Sequence, residues 1–205
     1  PCLYIADGHH RSAAAARIYQ NREGKNGSGY FLAVIFPHDQ MQILPYNRVI
    51  KDLNGLSQNE FLEKLKAVFT VLDKPFDKPA RNKEVGLFMD GRWYGLRFKT
   101  GPFNGGNPRD QLDVQLLQDK VLAPILDIRD PRTSERISFV GGIRGTVELE
   151  QMVASGQYAC AFSMFPTQIE EVMDIADQNE VMPPKSTWFE PKLRDGMFIY
   201  RYEKN

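Results

Sequence analysis

The sequence predicts an α+β fold in which mixed sheets, hairpins and packed helices alternate without a fixed repeat. Three observations carry this. Residues 85–89 and 92–99 are β-prone runs joined by Asp90-Gly91, a strong hairpin signal. Ser57-Gln58-Asn59-Glu60 and Thr167-Gln168-Ile169-Glu170 each have capping-box spacing ahead of a helical apolar pattern. Dense apolar runs at 30–36, 137–140 and 158–165 stop at Pro37, Gly141-Gly142 and Pro166, which reads as buried strands.

The first element carries the most chemistry. Leu3-Tyr4-Ile5-Ala6 reads as a buried strand, Asp7-Gly8 as a turn, and His9 onward as a helix driven by four alanines, Ala13 to Ala16. A strand that turns sharply into a helix leaves the first helical N–H groups without intrahelical partners. Those donors and the positive end of the helix dipole attract an anion, most simply a phosphate. The same turn carries Asp7, His9, His10 and Arg11. Asp7 can hold a metal or a hydroxyl, imidazoles exchange protons near neutral pH, and a guanidinium forks onto phosphate oxygens. Asp-Gly is also a common turn dipeptide, so a solvated first turn is the bland alternative. Cations at a helix N-terminus, however, cost a few tenths to about 1 kcal/mol. Crowding two histidines and an arginine there makes sense for function rather than for stability. Adjacent histidines on a helix diverge by about 100°, so His9 and His10 are not a natural chelating pair.

The first helix is expected to end near Asn21 to Gly24, followed by a Gly-rich link. Residues 30–36 are expected as a central strand, His38 in an exposed turn, and 41–44 as the returning strand of a hairpin. Asn47 and Arg48 then follow a strand end, where they either lie in a surface loop or reach the first turn. Residues 58–69 and 113–122 show helical apolar spacing. Trp93 and Tyr94 read as packing. Gly141-Gly142 after a strand is a weak phosphate-cradle signal. Residues 146–155 and 169–179 read as helices. Near the end, Lys185, Ser186 and Thr187 set one cation beside two hydroxyls, either an anion grip or a covering loop. Asp195-Gly196 then leads into a last strand over 197–202.

With 205 residues, the chain suffices for one domain or two small ones. A boundary near Asn54 divides it into residues 1–54, bearing the turn, and a companion α+β domain over 55–205. Basic and acidic residues balance at 26 each, which argues against bulk attraction to nucleic acid or membrane. No apolar run has the length of a membrane span and no signal peptide is evident, so a cytoplasmic protein is expected. Cys2 and Cys160 both lie in apolar stretches and are expected as buried thiols. The chain opens at Pro1, two residues before its first strand, and a fragment whose N-terminal half is missing is therefore expected. Oligomeric state is not legible.

Tyr4-Ile5-Ala6-Asp7-Gly8-His9-His10-Arg11, Phe139-Val140-Gly141-Gly142 and Met182-Pro183-Pro184-Lys185-Ser186-Thr187 resemble the prokaryotic family known as domain of unknown function 1015. Members are about twice this length, so the resemblance implies the C-terminal half. The first turn is similar to that of the ParB/sulfiredoxin superfamily, which places a ParB/sulfiredoxin-like element at the N-terminus. Within it, the free serine kinases have an Asp-Gly-His-x-Arg form close to Asp7 to Arg11. The resemblance implies a nucleotide-dependent phosphotransferase acting on a small hydroxylated metabolite such as serine, with Mg²⁺ and ADP or ATP. Gly8, His9, His10 and Arg11 would then hold phosphate, with Asn47, Arg48, Lys185, Ser186 and Thr187 as further nucleotide contacts. Asp7 would hold the hydroxyl substrate or the metal. In those kinases the acidic base lies upstream of this turn, so this chain alone is expected to be nearly inactive. A non-catalytic nucleotide-binding regulatory module of ParB-like type is the alternative. Neither a helix-turn-helix pattern nor a basic excess supports DNA as its partner.

Overall fold

The computed structural model describes residues 2–99, 106–194 and 196–202. Residues 101–105 of the loop expected over 101–108, and the turn residue Asp195, lie outside them. In chain order the strands are β1 (Gln42–Leu44), β2 (Tyr46–Ile50), β3 (Phe69–Val71), β4 (Glu84–Met89), β5 (Arg92–Phe98), β6 (Ile137–Gly141), β7 (Cys160–Met164) and β8 (Trp188–Glu190). The α-helices are α1 (His9–Arg22), α2 (Gln58–Val68), α3 (Asp113–Leu117), α4 (Val147–Ala154) and α5 (Ile169–Asp177). The fold is α+β, as expected. The chain divides into two compact units, Pro1–Gln42 with Phe189–Asn205, and Ile43–Trp188. The boundary expected near Asn54 falls inside the second of these. Both limits of the division fall within β1 and β8, which make up a two-stranded sheet.

In the first unit, α1 starts at His9, where the alanine run predicts it, and closes at Glu23 in a left-handed conformation. The surrounding segments correct the sequence reading. Residues 3–6, 30–36 and 197–202 form no strand. Their side chains are open to solvent: Leu3 is 76% exposed, Ile35 68% and Ile199 86%. The composition is strand-like, but a strand exists only through a neighbour, and among the described residues these segments have no ladder partner. Strand β1 accordingly pairs with β8 and not with the run before it. Cys2 is exposed, contrary to expectation, because its strand does not form.

The second unit holds the core. Its sheet has the order β3-β5-β4-β7-β2-β6, and every neighbouring pair is antiparallel. Side chains alternate across a strand. Ile50, Leu87, Met89 and Phe162 therefore face one side, where they pack with Phe61 and Leu65 of α2 and Leu117 of α3. Val49, Phe88 and Ala161 face the other, against Leu149 of α4. Covering both faces explains why the central strands read as continuous apolar runs. Trp93 packs on Phe88 and donates its indole N–H to Glu150 at 2.7 Å.

Local signals set the helix starts. At α2 the Ser57 hydroxyl accepts the Glu60 N–H, and the Glu60 carboxylate accepts the Ser57 N–H at 2.8 Å, completing the expected box. At α5 the box is one residue later than expected, between Gln168 and Glu171. Thr167 instead donates its buried hydroxyl to the Ser186 carbonyl at 3.1 Å. The helix expected over 113–122 is α-helical only to Leu117 and continues as one π-helical turn, Gln118–Leu122.

Candidate phosphate-binding site

The expected site residues fall in both units. In the first unit the helix start has the form that the sequence predicts. Gly8 is the residue before α1 and adopts φ 83°, ψ 27°, a left-handed conformation that glycine enters at little cost. Its carbonyl accepts the first intrahelical bond, from the Ser12 N–H at 3.0 Å. No side chain of the capping residue closes the helix start, and its first turn contains no acidic residue. A Cβ placed on Gly8 would lie 3.1 Å from Nη2 and 3.2 Å from Nε of Arg11. The Arg11 guanidinium thus folds back across the glycine at the positive end of the helix. His9 and His10 are both exposed beside it.

Asp7 is engaged. Its Oδ1 accepts the Gly8 N–H at 2.7 Å, and its Oδ2 accepts a hydrogen bond from Lys192 Nζ at 3.0 Å. Burial raises the carboxyl pKa, but Lys192, the Gly8 amide and Arg11 outweigh that and hold it below the usual aspartate value. A carboxylate of that kind is a poor proton acceptor. With an ammonium on one oxygen and an amide on the other, Asp7 as placed does not fit a Mg²⁺ ligand. Among the described residues no cluster of three or more His, Cys, Asp or Glu side chains is placed to hold a metal ion. Sequence reasoning missed Lys192, which lies 185 residues from Asp7 along the chain.

In the second unit Asn47 and Arg48 are buried strand residues and not loop residues, at 2% and 3% exposure. Alternation along β2 sends them to opposite faces. Asn47 Oδ1 accepts the Met164 N–H at 3.0 Å, which ties β2 to β7. Arg48 donates to the Tyr46 carbonyl and, at 3.1 Å, to the Lys185 carbonyl, and its guanidinium lies 5.5 Å from the Phe139 ring centroid. Arg48 and Lys185 are thus brought together, while Asn47 is spent on the sheet. Lys185 takes φ 55°, and its ammonium sits 5.4 Å from the Tyr46 ring centroid. Ser186 is buried and donates to the Pro183 carbonyl at 2.5 Å. Thr187 is half-buried. Gly141-Gly142 is a packing device and not a phosphate cradle. A Cβ at Gly141 would strike the Trp188 ring at 2.5 Å, and one at Gly142 would strike Pro45 at 2.5 Å.

Arg48 also lines a cavity of about 380 Å³ together with Arg109, Gln118, Arg129 and Arg132. Neither Arg109 nor Gln118 sits in a sequence motif, and the fold alone brings them to one wall.

A family model described as "Protein of unknown function (DUF1015)" matches residues 1–115. No curated protein matches the sequence. Among solved structures the chain is similar to free serine kinase in complex with AMP, with a TM-score of 0.49 and 20% identity over 90% of this chain and 66% of that one. It is similar to a mutant of free serine kinase in complex with ADP, with a TM-score of 0.48 and 20% identity over 90% and 66% of the two chains. A conserved hypothetical protein from Pyrococcus furiosus gives a TM-score of 0.48 and 19% identity over 90% and 68%. The chain therefore spans just under two thirds of the length of the serine kinase chains.

Proposed function

Since the chain belongs to the DUF1015 family, whose description assigns no activity, we propose a function from the site itself: a nucleotide-dependent phosphotransferase acting on a small hydroxylated metabolite, with free serine as the model substrate. The observation that supports it is the start of α1. A left-handed glycine opens the helix without a side-chain cap, and an arginine folds back over it. Backbone donors, the helix dipole and a guanidinium converge there, which suits a phosphate. The motif resemblance of Asp7 to Arg11 to the free serine kinases agrees with this.

The nucleotide supplies the phosphoryl group. The chain's own residues position it: the amides at 9–11 and Arg11 neutralise phosphate oxygens, and His9 and His10 offer imidazole donors. Phosphoryl transfer needs positioning and charge neutralisation more than covalent chemistry, so such a set supplies part of the work. Asp7 orients the turn through the Gly8 amide and Lys192, and no step is routed through a metal on it.

The test is phosphoserine formation by the full-length protein from serine and ADP or ATP. His10→Ala should abolish turnover while leaving the fold intact by circular dichroism. A wild-type protein that shows no turnover and whose thermal midpoint ignores every nucleotide would end the proposal. One observation favours a second reading, a nucleotide-binding regulatory module. The single carboxylate of the turn is paired to a lysine and held at low pKa, so it makes a weak base. Nucleotide binding without turnover by the full-length protein would select that reading.

A further inference from the structure

The cavity of about 380 Å³ lies wholly within the second unit, and its charges do not balance locally. Arg129 and Arg132 on its rim pair with Asp127 and Asp130, each at 2.9 Å. Asp119, also on the wall, accepts from Gln115 at 2.9 Å. Two further guanidiniums have no carboxylate partner among the described residues. Arg48, 3% exposed, has only two carbonyl oxygens and the Phe139 ring. Burial, with no anion opposing it, pulls its pKa down to about 9. Arg109 lines the same cavity, and its Nε is buried with no hydrogen-bond partner. On the same wall Gln118 uses its amide N–H₂ on the carbonyls of Ile128 and Arg129, while its Oε1 is buried and unpartnered.

A buried cation without a counter-ion is costly, and so is a buried polar atom without a partner. Native proteins carry few of them, and each calls for an explanation. Here a buried cation, an orphan donor and an orphan acceptor belong to three residues that line one space of ligand size. A bare anion satisfies the first two and leaves Gln118 Oε1 unsatisfied. We propose that this cavity is a binding site for a small organic anion, a carboxylate or phosphate compound that also carries an N–H or O–H donor, with Arg48 and Arg109 gripping the acid group and Gln118 accepting from the donor. The site is separate from the nucleotide reading of Gly8 to Arg11 and does not depend on it.

The test uses calorimetry on the whole chain with two probes. O-phospho-L-serine carries acid groups and an ammonium, and sulfate carries no donor. The site binds O-phosphoserine, and sulfate at least tenfold more weakly. Arg109→Gln, at a half-buried position, lowers O-phosphoserine affinity at least tenfold. Gln118→Leu lowers O-phosphoserine affinity several-fold and leaves sulfate unchanged. ADP affinity does not move in Arg109→Gln. The proposal is overturned if neither probe binds. It is overturned too if Arg109→Gln leaves O-phosphoserine affinity as it was while the unfolding midpoint shows an intact fold. A fall in ADP affinity in Arg109→Gln would make this cavity part of the nucleotide site and overturn it as a separate one.

Discussion

Gly8 is the position at which one methyl group tests most. At φ 83° an alanine is strained by roughly 1–2 kcal/mol, and its Cβ would press on the Arg11 guanidinium at 3.1 Å. No residue of α1 is buried, so that strain should leave the core untouched. Gly8→Ala is therefore expected to lower ADP affinity at least tenfold and to shift the thermal midpoint by no more than a few degrees. Calorimetry and a melting curve on the same sample check both. This turn was legible in the sequence because its signal is local: an Asp-Gly turn, an alanine run, and cations where a helix disfavours them. The lysine on Asp7 and the buried pair Arg109 and Gln118 were not legible, since each depends on chain segments that meet only in the fold.

At the level of elements, the β4–β5 hairpin and the α2 capping box follow from neighbours a few residues apart, and both could be read directly. Strand β2 could not, because the polar pair Asn47 and Arg48 argues for a loop. It sits inside the sheet only because the Met164 amide and the carbonyls of Tyr46 and Lys185 satisfy those side chains. The hairpin also carries a pH-sensitive contact. Glu84 is buried and accepts from Arg81 Nε at 2.8 Å and Arg97 Nη2 at 2.8 Å. Burial raises its pKa, but the two arginines and the Ala80 amide outweigh burial and hold it below the usual glutamate value. The folded pKa is depressed, so this contribution is fully present above the unfolded value of about 4.3. It is lost as pH falls through the lower folded value. Denaturant titrations from pH 7 to pH 3 should show the wild type losing stability across that window. Glu84→Gln should start lower at pH 7 and flatten the slope there, and an unchanged slope would count against the contact.

Across the whole molecule, the two units differ in how their apolar residues are spent. In Ile43–Trp188 a sheet covered on both faces buries Phe61, Leu87 and Phe162 completely. In the first unit Tyr30, Phe31, Ile35, Phe198 and Ile199 are all more than half exposed. An extended, apolar, unladdered segment is a good protease substrate. Brief chymotrypsin treatment should therefore cut first after Tyr30, Phe31 or Phe198 and leave a resistant body containing 43–188, as read by mass spectrometry. A first cut inside any one of the strands β4, β5, β6 or β7 would contradict this. Sequence patterning named residues 30–36 and 197–202 as strands from composition alone. Composition sets only the propensity, and the partner that turns propensity into a ladder does not appear among the described residues.

The central claim is that a phosphate group sits at the start of α1. Its most direct measurement is the set of backbone amide resonances of His9, His10 and Arg11 in a labelled sample titrated with ADP and, separately, with adenosine. The account predicts that these three amides move together, saturating with ADP and staying still with adenosine. Amides that ignore ADP, or that answer adenosine equally, would contradict it.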